Sequence, residues 1–152
     1  MPLVVVAGVD PTAGFAPSAM TKTASHQMAT EFGQVNGWSA DTKKYPGSTV
    51  VNNALRAQST KSRATVSAVL PFSGGVPGFM GKLTQRARLV VNGREVETSS
   101  EVAGPAGTLE ITAIVDIKAG DLVSVQAFST GFTFGGSSSI ISPGETTYVR
   151  IA

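Results

Sequence analysis

His26 is the sole histidine of the chain and the first residue whose type could support acid-base or metal chemistry. Its surroundings supply no second histidine, no cysteine and no carboxylate cluster, so a surface or contact role is expected. Serine is plentiful, yet a nucleophilic serine needs a base within hydrogen-bond reach. The G-x-S-x-G turn that presents such a serine does not occur. Gly135-Gly136-Ser137-Ser138-Ser139 has the glycine content of a phosphate cradle but lacks the lysine and strand-to-helix setting of a P-loop, so a plain loop is predicted. Strand period places Glu110 and Asp116 outward, which leaves an acid and base to be paired only across strands. Asp116 and Asp121 offer oxygen ligands at a spacing that matches no EF-hand loop. The sequence therefore predicts no catalytic residue, no metal ligand, no cofactor and no enzyme.

The elements that would carry any such residues belong to a chain of 152 residues, the size of one sandwich or barrel domain with its own core. Without cysteine there is no disulfide and no thiolate metal site, so stability must come from packing or oligomerisation. The formal charge is +2, and the twelve Lys and Arg residues are scattered rather than clustered in a stripe with stacking aromatics. Nucleic acid is therefore not an expected partner. Only 14% of residues are charged, fewer than a small soluble monomer usually displays, which implies surface buried against partners. Leu3 to Ala7 is too short for a signal-peptide core, and no run approaches the ~18 apolar residues of a membrane span. A soluble product of cytoplasmic synthesis is expected, with no membrane partner.

Two regions differ in pattern. In residues 1–30, Gly8, Pro11, Gly14 and Pro17 interrupt the apolar residues, and Ala, Ser, Thr and Met fill Ser18 to Thr30. This reads as an extended N-terminal arm, with weak helical character over Ala19 to Glu31. Leu3, Val4, Val5 and Val6 are the residues expected to tether it to a neighbouring sheet by strand addition. Residues 31–152 read as one all-β domain. Trp38, the only tryptophan, is expected to anchor a core or a subunit contact. Tyr45-Pro46-Gly47 signals a turn. Ala64, Val66, Ala68 and Leu70 share one face of a strand, as do Leu109, Ile111, Ala113, Val115 and Ile117. Asn92-Gly93 between two β-prone runs predicts a two-residue type I′ hairpin. The last residues, Thr146 to Ala152, read as a strand paired centrally. Short strands separated by turns, with no long helical period, predict a sandwich or jelly roll.

In this order the residues resemble the C1q/TNF-like jelly roll, in particular the modules of minor tail proteins from bacteriophages of actinobacteria. The landmarks are Phe32 with Val35 and Trp38; Tyr45 to Val51; Ala64 to Ala68 with Phe72; Leu89 to Gly93; Ala119-Gly120-Asp121-Leu122-Val123-Ser124-Val125; and Thr146 to Ile151. Together they cover residues 32–152. The resemblance implies a ten-stranded jelly roll that assembles as a trimer, with Phe128, Phe132, Phe134 and Tyr148 near the threefold axis or else within the monomer core. Calcium, bound by some members, is not carried over because no acidic cluster supports it. The absence of cysteines and a collagen-like stalk argues against an extracellular signalling ligand. What remains is a structural protein of a virion, whose partners are its own copies and other virion proteins. The readings are a minor tail or tail-tip protein, a capsid decoration protein, or a host-surface glycan-binding module. The last would use loops Ser73 to Gly81 and Gly131 to Ser139 with Phe79, Phe132 and Phe134.

Overall fold

Fourteen strands and no helix make up the computed structural model, which describes residues 14–152. In chain order they are β1 (Ser18–Lys22), β2 (His26–Gln27), β3 (Gly33–Gln34), β4 (Trp38–Ala40), β5 (Thr49–Val51), β6 (Ala54–Arg56) and β7 (Lys61–Ser73). There follow β8 (Thr84–Val91), β9 (Arg94–Thr98), β10 (Val102–Ala103), β11 (Gly107–Ile117), β12 (Leu122–Thr130), β13 (Ile140–Ile141) and β14 (Gly144–Ile151).

β7 is the hub of the first sheet. Its alternation buries Ala64, Val66, Ala68, Leu70 and Phe72 and leaves Thr65, Ser67, Val69 and Pro71 on the opposite face. β11 pairs antiparallel along one side of it, from Gly107 opposite Phe72 to Ile117 opposite Lys61. Along the other side run β14 and β13, and β1 then β4 continue the sheet beyond β14. The terminal strand is thus paired on both edges, and Thr65 and Ala152 exchange backbone hydrogen bonds of 2.8 and 2.9 Å that close its end. In the second sheet β8 and β12 form the central pair, with β9 and β10 beyond β8 and β6, β5 and β3 beyond β12.

The two inner faces meet in one core. Val66, Leu70, Leu109, Ile111, Val149 and Ile151 of the first sheet face Leu55, Leu89, Val123 and Val125 of the second. Each fully buried leucine or isoleucine there contributes roughly 1.5–3 kcal/mol.

The domain begins earlier than residue 31. β1 lies between β14 and β4 and buries Ser18, Ala19, Met20 and Lys22, so Ser18 to Thr30 belongs to the sandwich and the arm reading is corrected there. A strand covered on both faces loses the polar-apolar alternation that identifies strands, which is why Ser-Ala-Met-Thr-Lys gave no strand signal. The tether residues Leu3, Val4, Val5 and Val6 lie outside the described residues.

The hairpin at Asn92-Gly93 joins β8 to β9 with φ of 49° and 82°, as the I′ geometry requires. A second one of the same kind, at Asn52-Asn53 with φ of 49° and 61°, joins β5 to β6. At Gly93 an added Cβ would meet no atom within 4 Å, so Gly93→Ala costs backbone strain alone. The expected loss is about 1 kcal/mol, read as a fall in Tm of roughly 2–4 °C in thermal unfolding.

Candidate functional site

The outward face of the first sheet is built by the cross-strand registers. Thr21 of β1, Tyr148 of β14, Val69 of β7 and Glu110 of β11 form one row across it. Ala19, Arg150, Ser67 and Thr112 form the next, and Thr65 with Ile114 continues it. The face is low in charge, and Ile114 stands 57% exposed in its middle rows. The Arg150 guanidinium lies 3.6 Å over the ring of Tyr148 and 5.7 Å from that of Tyr45, and its Nε is buried without a hydrogen-bond partner. An arginine lying over one tyrosine ring and near a second presents a weakly hydrated surface suited to packing against protein.

The second sheet carries another stack on its outer side. Phe32 and Phe128 meet edge to face at 4.7 Å, and Arg88 lies 4.1 Å over Phe32. Arg88 Nε donates to Gln126 Oε1 at 2.7 Å, and the guanidinium pairs with Glu95 at 3.1 Å, so this stack satisfies itself.

A buried cation sits at the end of β1. Lys22 is 2% exposed, packs 5.3 Å from the Trp38 ring and donates to the Asn36 carbonyl, and burial lowers its pKa to about 8. His26 is held below the usual histidine value, first by burial and then by the charge of Lys22. Its Nδ1 accepts from Asn36 N at 3.4 Å. No carboxylate pairs with Lys22 among the described residues.

The carboxylates considered as ligands are engaged in the backbone. Asp116 Oδ1 accepts from Arg63 N at 2.8 Å, where Arg63 has φ of 55°. Asp121 accepts from Asn92 Nδ2 at 2.9 Å and Lys118 N at 2.8 Å. Among the described residues no three His, Cys, Asp or Glu side chains converge as metal ligands would.

The five residues expected at an oligomer contact do not share a surface. Trp38 is 7% exposed and belongs to the monomer core, its Nε1 donating to Val35 O at 2.8 Å, so its contact role is corrected to a core role. Phe128 lies on the outer side of the second sheet, and Phe132 is half-buried in the loop before β13. Phe134, in that loop, is 81% exposed. Tyr148 alone lies on the outward face of the first sheet. Sequence reading missed Ile114, Arg150 and Tyr45 as members of that face. The available signal was Ile114 itself, an isoleucine in the otherwise polar series Glu110, Thr112, Ile114, Asp116.

No family model matches the chain and no curated protein matches it. Solved structures do. Eiger TNF from S. frugiperda is similar with a TM-score of 0.60 at 12% identity, over 90% of this chain and 90% of that one. Murine APRIL at pH 8.5 is similar with a TM-score of 0.54 at 12% identity, over 89% of this chain and 95% of that one. At such identity the likeness is one of fold, and it defines the chain as an all-β jelly roll of the C1q/TNF-like type.

Proposed function

We propose that the protein is a non-enzymatic structural component of a bacteriophage virion, a minor tail or tail-tip protein that assembles as a homotrimer through the outward face of its first sheet. The observation that carries the assembly reading is that face itself: Ile114 is 57% exposed, with half-buried Val69 and the stacked pair of Arg150 and Tyr148 beside it on the same face. Glu110 on the edge strand β11 and Arg150 on β14 carry opposite charge two strands apart on that face, which suits a head-to-tail contact that closes a ring. The virion reading is supported by the sequence resemblance over residues 32–152 and by the low charge of the chain. The site of action is then the particle surface, and the partners are its own copies and adjoining virion proteins.

Ile114→Glu tests the face without touching the core, because the residue is 57% exposed. The variant is expected to keep the unfolding transition of a folded domain and to run as a monomer in size-exclusion chromatography. Quantitative densitometry of purified particles tests the location. A few copies per particle are expected at a tail; hundreds would transfer the protein to the head as a decoration protein, and absence from particles would overturn the virion role.

A further inference from the structure

We infer that the two loops at one end of the sandwich form a tip that inserts into an anionic lipid surface. β7 spans the sandwich from Lys61 to Ser73, about 40 Å. Phe15 packs 4.8 Å from Lys61 and Ala152 pairs with Thr65, so these residues lie at one end. The segments Ser73 to Thr84 and Thr130 to Ile140 lie at the other. There Phe79 is 78% exposed, Met80 92% and Phe134 81%, the three most exposed large apolar side chains among the described residues.

These side chains do not hang on slack connections. Val76 and Ser137 exchange backbone hydrogen bonds of 2.9 Å, Phe79 N donates to Phe134 O at 3.1 Å and Gly78 N to Gly131 O at 3.0 Å. The backbones approach so closely that a Cβ on Gly78 would sit 2.6 Å from the Thr133 carbonyl carbon and 2.9 Å from that of Phe132. Beneath them the amide of Gln85 is satisfied with its oxygen accepting from Ser139 Oγ at 3.1 Å and its nitrogen toward the carbonyls of Val102 and Gly104. Met80 and Phe134 both hold left-handed backbone, φ 58° and 63°, a conformation that disfavours bulky residues. A fold that bears strain at two residues whose side chains then face water is presenting them to something.

Three features select hydrocarbon over a polar ligand. Phe79, Met80 and Phe134 are each more than three-quarters exposed, so they stand out into the surroundings rather than enclosing a small molecule. Several of the tip's backbone groups, the amides of Val76, Gly78, Phe79 and Ser137 among them, are bonded within the paired loops, which lowers the cost of leaving water. Residues 71–94 and 122–144, which make the tip and the strands feeding it, contain no Asp or Glu, while Lys82 and Arg86 flank the apolar residues. That is the arrangement of an interfacial anchor: apolar residues below, cations at headgroup level. The carboxylates at this end belong to other segments, Glu101 to the connection between β9 and β10 and Glu145 to the start of β14. A chain can bind a membrane surface in this way without any spanning segment, and the inference does not depend on the oligomeric state.

The test is flotation of the full chain with vesicles of equimolar phosphatidylglycerol and phosphatidylcholine at physiological salt. The wild-type protein is expected to float at micromolar concentration, more weakly with phosphatidylcholine alone. F79S/F134S and, separately, M80S are expected to lose flotation while unfolding at the wild-type temperature, since all three side chains are exposed. Failure of the wild type to float would overturn the inference and leave an apolar protein groove as the partner. Flotation that survives both variants would overturn it too, as mere charge attraction.

Discussion

Alanine in place of Gly131 is expected to cost about 3 kcal/mol or more of stability and to separate the two loops at the tip. Gly131 holds φ of 89°, and a Cβ there would overlap the carbonyl group of Lys82. Both halves of that collision are backbone, so no side-chain rotation relieves it. Gly93→Ala is the internal control: its φ of 82° imposes nearly the same strain, but the space around it is open. The difference between the two variants in chemical denaturation therefore measures the cost of the close approach, expected at about 2 kcal/mol. Equal losses would mean that the loops give way easily and that the tip is not rigid.

Lys22→Met is expected to raise stability by about 1–3 kcal/mol at pH 7. Lys22 titrates near 8 in the folded protein against 10.5 when free, a difference worth about 3 kcal/mol between its protonation states. The folded form is the poorer proton binder, so the penalty is fully present below pH 8 and fades as pH rises to 10.5. The Asn36 carbonyl loses its donor in the variant, which offsets about 1 kcal/mol. His26, also lowered, adds a further loss of stability as pH falls below the ordinary histidine range. Urea unfolding from pH 7 to 10.5 should show wild type and variant converging upward in pH; a constant gap would mean that Lys22 stays protonated in both states.

The strands with one buried and one open face were legible because period 2 survives in them: Ala64 to Phe72 and Leu109 to Ile117 matched their predicted faces. Asn92-Gly93 was legible because few residue pairs tolerate two positive φ angles. β1 was not, since a strand buried on both sides has no alternation and its Ser, Thr and Ala carry weak preferences. The burial of Lys22 was hidden for a related reason. A lysine in a polar-looking stretch reads as solvated, and only the packing of Trp38 and the Asn36 turn encloses it.

The candidate surfaces were less legible than the fold. Phe128, Phe132, Phe134 and Tyr148 are close in composition but are placed by three different elements on different sides of the molecule. Ile114 was assigned to neither face in the sequence, and it stands on the exposed face in step with Glu110, Thr112 and Asp116. Whether an aromatic faces core, solvent or a neighbour depends on register and on which sheet face is covered, and residue type alone fixes neither.

Self-association through the face of Tyr148, Val69 and Ile114 is the claim on which the structural role rests. Sedimentation velocity of the purified chain at micromolar concentration tests it most directly. A single species of three times the chain mass, converted to the chain mass by Ile114→Glu, is the expected result. A wild-type protein that sediments as a stable monomer at that concentration would contradict it.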